Sequence, residues 1–439
     1  MLVPKKGQYN IFTAIDKDIH RHKRKMLNQG FSDVNMKKFE PAMLQHIDIF
    51  VQNLMTGCDD QGSKWSTPFN MTRCSGHLQY DVMGKFGFGQ SFEMQKKPDN
   101  HFLLDVVDAI CLRGGMYVQY PRLRYLIIDK LLAWRTSVLR SKYAALITHL
   151  VQARYATEKD SQSDLYSTLS DVTNPENGLS FSDEELWTES RFLLIAGNFG
   201  AHIFDSSTDS ILGADTSRTA LSAAFFYLTA YPKCYEELIA EIRSTFTSAE
   251  EIKSGPKLAS CHYLRACIDE MLRMSCPISG TLWREVCAGG ITVDGEHIPA
   301  STDIGVNPYA IFHNEDVFPS SSIFMPERWI VSEYNPQANV DQARHAFQPF
   351  SLGPRSCAGR TMAYMELSNT IAKTCWYMDF KRAEGPMGLV SAGVKGGPKG
   401  RDNEKEFQLL EHVTCTHNGP YLQFRLRDGM KKELVIHRV

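Results

Sequence analysis

Phe350-Ser351-Leu352-Gly353-Pro354-Arg355-Ser356-Cys357-Ala358-Gly359-Arg360 is the densest chemical signal in the chain. Two glycines and a proline dictate a tight loop, and an apolar helical pattern follows at Met362, Ala363, Met365 and Leu367. Cys357 is therefore expected at a helix N-terminus, where unpaired backbone N–H groups and the positive end of the dipole favour a thiolate. Gly353 and Gly359 leave the backbone free to approach a flat ligand closely. A lone cysteine in a turn is ordinarily a buried structural thiol. It is the whole spacing, F-x-x-G-x-R-x-C-x-G, that argues otherwise.

That spacing, with Ala363 and Glu366 in register behind it, resembles the haem-binding signature of cytochromes P450. The resemblance implies a mainly α fold with a minor β portion, a helical prism around a buried haem b. Cys357 would be the axial iron ligand, a strongly donating thiolate. Arg355 would pair with a haem propionate, Phe350 would pack beside the sulfur, and Gly359 would admit the ring.

Other segments extend the match. Glu270 and Arg273 lie three apart on one predicted helix, so their side chains can meet on one face. The apolar neighbours Leu264, Ala266, Ile268, Leu272 and Met274 put part of that helix inside. By resemblance the pair is an internal brace joined by Arg328 of Pro326-Glu327-Arg328-Trp329, structural and not catalytic. Between these motifs, in CPISGTLWREV, Arg284 would reach a propionate and Ile278–Leu282 would line the pocket. Cys276-Pro277 stands where the family often has Pro-Pro. Near the start, His20 and Arg24 match the pattern of an aromatic or His four residues before Arg, both facing the propionates. Their run HRHKRK is the strongest basic cluster, and is expected to steer an acidic reductase.

Asp215-Thr216-Ser217 opens an apolar helical run that resembles the family's oxygen-activating helix, where the acid and Thr pass protons to dioxygen. Here the chain departs from the pattern. Ala196-Gly197 begins the family motif, but residues 198–213 intervene before Ala214. Removing Asn198–Gly213 restores Ala-Gly-Ala-Asp-Thr-Ser and an uninterrupted helix. An aberrant insertion, a retained in-frame intron, is the expectation. Nor do the membrane anchor, hinge and first strands of eukaryotic members precede Ile19, and loss of those strands would expose sheet edges.

Composition sets the remaining bounds. The 439 residues are 43% hydrophobic with a formal charge of -2, so a large core is possible and nucleic acid is not suggested. Eleven cysteines without a C-x-x-C pair argue for reduced thiols. No apolar run approaches the ~18–20 residues of a membrane span, and MLVPKKGQYN is not a signal peptide. Helices are expected over Phe39–Leu54, Ala133–Tyr155, Leu221–Phe246 and Tyr263–Met274, with strands over Gly290–Ile298, Asp303–Val306 and Tyr421–Leu426. Ser161–Gly178 reads as a polar surface loop, and residues 1–439 as a single catalytic domain.

The implied function is insertion of one oxygen atom of dioxygen into a hydrophobic small molecule. Electrons would come from NADPH through cytochrome P450 reductase, with cytochrome b5 as a second donor, at the cytosolic face of the endoplasmic reticulum. The blocks GTLWREVCAGGITVDGEHIPA and EHVTCTHNGPYLQFRLRD resemble microsomal enzymes of filamentous fungi, which points to secondary metabolism. Two alternatives stand beside this reading. One is an inactive haem-binding remnant; the other is a haem-thiolate isomerase or lyase that uses no dioxygen. Gly114–Tyr120, Leu193–Gly197 and Ile278–Leu282 are the candidate pocket segments, and their apolar character names no substrate.

Overall fold

A computed structural model describes residues 9–12, 14–59, 64–120, 127–157, 164–174, 176, 178–182, 184–186, 188–189 and 213–430. Its helices are α1 (Lys17–Gly30), α2 (Asp33–Met55), α3 (Met71–Phe88), α4 (Phe102–Gln119), α5 (Ile127–Tyr155), α6 (Leu165–Asp171), α7 (Gly213–Ala230), α8 (Pro232–Thr245), α9 (His262–Met274) and α10 (Arg360–Tyr377). The small sheet portion is antiparallel throughout. Strands β1 (Phe69–Asn70), β6 (Met378–Arg382) and β7 (Tyr421–Leu426) form one sheet in the order β1-β7-β6. The pairs β2 (Leu282–Glu285) with β5 (Asp303–Val306), and β3 (Ile291–Val293) with β4 (Glu296–Ile298), form two more. This is the expected mainly α architecture, and all eleven cysteines are unpaired.

α7 is the helix around which the rest is arranged. Ala220, Leu221, Ala223, Ala224, Phe225, Phe226, Tyr227 and Leu228 are all buried, so this stretch of it has no solvent face. It packs against α3, α9 and α10. A second, smaller core gathers Tyr80, Phe88, Leu104, Val107 and Ile147 around the start of α7 at Ala214.

Three sequence expectations are corrected. The run Leu221–Phe246 is two helices, because Pro232 lacks the N–H that would continue α7 and instead takes the first position of α8. The segment Ser161–Gly178 is not all loop. Asp164 accepts the Ser167 N–H at 2.8 Å, starting α6, which buries Leu165, Tyr166 and Leu169. Gly290–Ile298 is a hairpin and not one strand, turning at Asp294-Gly295. Residues 198–213, expected to be an insertion, lie outside the described residues, except Gly213, which opens α7. Neither β2 nor β5 pairs with a further strand among the described residues, and Trp283 and Val306 are exposed on them.

Candidate functional site

The cysteine loop folds on its own backbone. Gly353 sits at φ +74°, in the left-handed region that favours glycine, and opens a single 3-10 turn. The Cys357 N–H donates to Phe350 O at 2.8 Å, and the Ala363 N–H to Gly359 O at 2.9 Å, which launches α10. The Phe350 ring packs on Tyr364, centroids 5.3 Å apart. Cys357 is open to solvent, yet burial among protein atoms pushes its thiol pKa up. The Gly359 N–H, Arg24 and Arg360 pull the thiol back toward the thiolate without prevailing. In the chain alone burial outweighs these pulls, and a metal cation at the sulfur would favour its deprotonated form. A Cβ on Gly359 would stand 3.9 Å from Cys357 Sγ with only Phe31 also in reach, so the ground before the sulfur is clear.

Basic groups converge on this loop. Arg24 donates through Nη1 to Ser356 O at 2.5 Å, and Arg355 through Nη2 to Ala14 O at 2.6 Å. Arg284, on β2, donates to Trp283 O at 2.7 Å. His20 is pushed down to about 4 by burial and then by Arg355 and Arg24, while Arg355 is lowered by burial and by Arg284. None of the four has an acidic partner among the described residues. Elsewhere the buried arginines are paired: Arg154 with Asp164, Arg218 with Asp108 and Asp215, Arg273 with Glu270. Like charges held together without a counter-charge fit a multiply anionic ligand. The residues present therefore fit a haem, with a thiol for the iron and cations for its propionates.

The run HRHKRK does not form the free basic patch that its composition suggests. Lys23 is 3% exposed and pairs with Glu189 at 3.0 Å and Glu185 at 3.3 Å. Lys25 pairs with Glu176, and the His22 Nδ1 meets the Asn174 amide at 2.6 Å. Arg21 is 63% exposed and pairs with Asp18. The fold spends Lys23 and Lys25 on acids of the 174–189 segment, which a count along the chain could not reveal.

Asp215 and Thr216 lie in the first turn of α7. Asp215 is fully buried; it accepts from Thr414 Oγ1 and pairs with Arg218 at 2.5 Å. Arg218 also pairs with Asp108 of α4 at 2.6 Å. Burial raises the Asp215 pKa, Arg218 opposes this, and Asp108 adds to it. Arg218 could have been suspected from its i+3 spacing, whereas Asp108 and Thr414 carry no local signal. The C-terminal segment that bears Thr414 also touches two of the candidate pocket stretches. Ser279 Oγ meets Cys415 Sγ at 3.0 Å, and a Cβ on Gly115 would stand 2.7 Å from His412 Cα. Leu193–Gly197 lies outside the described residues.

The brace is present with more partners than the motif implies. Glu270 accepts both Nε and Nη2 of Arg273, at 2.9 and 2.8 Å. It also accepts from Arg328 Nε at 3.5 Å, Trp329 Nε1 at 3.0 Å and the Met325 N–H at 3.0 Å.

Glu366, on α10, is a buried acid that the motif alone does not explain. Burial pushes it up to about 8, offset only in part by the Gln79 amide. Between its ordinary 4.5 and about 8 the folded chain keeps this proton and the unfolded chain does not. Stability therefore falls as pH rises through that window, with a slope approaching about 1.4 kcal/mol per pH unit. Glu366→Gln, which keeps shape and neutrality, is expected to flatten the slope in denaturant midpoints measured from about pH 5 to about pH 8. An unchanged slope would acquit Glu366.

The family described as Cytochrome P450 matches residues 3–199 and 204–381, and the break between them falls inside the segment 198–213. A cytochrome P450 monooxygenase of Gibberella zeae is 36% identical over 419 residues, covering 95% of this chain and 92% of its own. Cytochrome P450 monooxygenase AKT7 of Alternaria alternata is 32% identical, over 96% of this chain and 80% of its own. Cytochrome P450 monooxygenase apf7 of Gibberella fujikuroi is 33% identical, over 97% and 79%.

Proposed function

Since the chain belongs to the cytochrome P450 family, we propose that it is a haem-thiolate monooxygenase in which Cys357 supplies the axial thiolate to haem b. The observation that carries this assignment is the meeting of one desolvated thiol with the arginines Arg24, Arg284 and Arg355, none paired with an acid among the described residues, and with a neutral His20 beside them. Arg24, Arg284 and Arg355 would hold the propionates, with His20 beside them, while Phe350 and Gly359 shape the ground at the sulfur. When bound, the haem supplies the activation of dioxygen that lets one oxygen atom enter an apolar C–H or C=C bond. Asp215 holds a proton in the first turn of α7, and the adjacent Thr216 hydroxyl passes it toward the pocket. Apolar segments at the end of α4 and at Ile278–Leu282 exclude water and orient a hydrophobic small molecule.

The electrons require a redox partner, for which NADPH-cytochrome P450 reductase, with cytochrome b5 as a second donor, is the reading. No helix among the described residues is long and apolar enough to cross a membrane. Attachment to the endoplasmic reticulum and a role in fungal secondary metabolism rest on likeness to the fungal monooxygenases. No observation favours an inactive remnant or an isomerase. Residues 198–213 are read as an aberrant insertion within one catalytic domain, a reading supported by the break in the family match there.

The test is the carbon monoxide difference spectrum of the dithionite-reduced protein, with and without residues 198–213. A strongly red-shifted Soret band is expected, stronger after the deletion. A haem that binds but shows no red shift in either form would overturn the thiolate assignment.

A further inference from the structure

The ion-paired cluster at the start of α7 has an unbalanced charge. It holds two carboxylates, Asp215 and Asp108, and a single guanidinium, Arg218, placed 2.5 Å from the first and 2.6 Å from the second. No other cation pairs with either acid among the described residues. The remaining titratable groups around them are neutral near pH 7. From α3, the Tyr80 hydroxyl is held well above its ordinary range by burial and by Asp215. The Tyr143 ring of α5 is buried in the same core. On α4, the Cys111 thiol is pushed up to about 12 by burial. From the C-terminal segment, burial pushes Cys415 up to about 11 and lowers both His412 and His417. One cation and two carboxylates leave a net negative charge in a dry place, and one bound proton would cancel it.

Solvation decides which acid takes that proton. The Asp108 side chain is 38% exposed, so water stabilises its charge, whereas Asp215 is fully buried. Thr414 Oγ1 can donate to an ionised Asp215 or accept from a protonated one with no change of position, because a hydroxyl does both. The proton comes from water and is made up from water after use.

We propose that Asp108 is a positioning residue: by sharing the Arg218 guanidinium, it leaves the buried carboxyl of Asp215 to hold a proton at neutral pH. This rests on the reading of Asp215 as the proton-delivering acid. Without Asp108, Arg218 would form a one-to-one buried pair with Asp215 and fix it as the carboxylate. The acid would then be a structural partner and no proton store.

The experiment is infrared titration of the haem-loaded full chain, following the C=O stretch of protonated carboxyl groups. A band titrating above the ordinary carboxylate range and missing in Asp215→Asn is expected, which separates it from Glu366. In Asp108→Asn the same band should titrate at least about one pH unit lower, a tenfold loss of proton affinity, with Asp108→Glu restoring it. The pH at which product formation outcompetes peroxide release should move down with it. If Asp215→Asn does not fold, Thr414→Val makes the assignment instead, since removing that hydrogen bond shifts the band frequency. An unchanged titration in Asp108→Asn, or no protonated Asp215 at neutral pH, would overturn the proposal. The carbon monoxide spectrum of each variant keeps that failure separate from a failure of the haem assignment.

Discussion

Cys357→Ala is expected to give a folded chain whose reduced, carbon monoxide-treated form lacks the red-shifted Soret band and turns over no substrate. The loop does not depend on the side chain. Its geometry comes from the Cys357 N–H on Phe350 O, the left-handed Gly353 and the first turn of α10, all backbone features that alanine preserves. The thiol buries little of its own surface, so the thermal midpoint should stay close to that of the parent chain. What alanine removes is the only sulfur in the loop, and with it the electron donation that a thiolate ligand supplies. Arg24, Arg284 and Arg355 remain, so haem should still bind, more weakly and with an altered spectrum. A retained red-shifted band would mean that another group ligates the iron. Loss of the folded chain would mean that Cys357 has a packing role its exposure does not show.

What could be read from the chain, and what could not, divides along a physical line. The cysteine loop and the Glu270–Arg273 pair were legible because their partners lie within a few residues, where spacing along the chain is spacing in space. The helices His262–Met274 and Asp33–Met55 were legible because apolar periodicity is local. The basic run at His20–Lys25 was misread because its neutralising acids, Glu176, Glu185 and Glu189, are some 150 residues away. Asp215 was found as an acid near a threonine, but its environment was invisible. Asp108 and Thr414 come from opposite ends of the chain and meet it only through tertiary packing. The split at Pro232 was avoidable, since a proline after Tyr231 forbids the preceding helix from continuing with full bonding.

Arg273→Ala should lower unfolding stability by about 3–5 kcal/mol, and so prevent recovery of a haem-loaded protein near physiological temperature. The size follows from what the guanidinium does. It binds both oxygens of Glu270, the Phe312 carbonyl at 2.6 Å and the Ser321 carbonyl at 2.8 Å, all in the interior. Its removal leaves a buried carboxylate short of its main partner and two carbonyls without this donor. Arg328 cannot replace it, being 3.5 Å from Glu270 and already committed to Pro319 O. Lysine should rescue little, because an ammonium cannot present a fork to the carboxylate and still reach both carbonyls. The damage should travel to the cysteine loop. Glu270 also accepts from Trp329 Nε1, the Trp329 ring packs on Phe347 with centroids 4.7 Å apart, and Phe347 lies just before Phe350. Denaturant midpoints of Arg273→Ala and Arg273→Lys, read beside the carbon monoxide spectrum, test this. An unchanged midpoint with a weakened spectrum would show that the brace aligns the loop without stabilising the fold. An unchanged midpoint with an unchanged spectrum would show that it does neither.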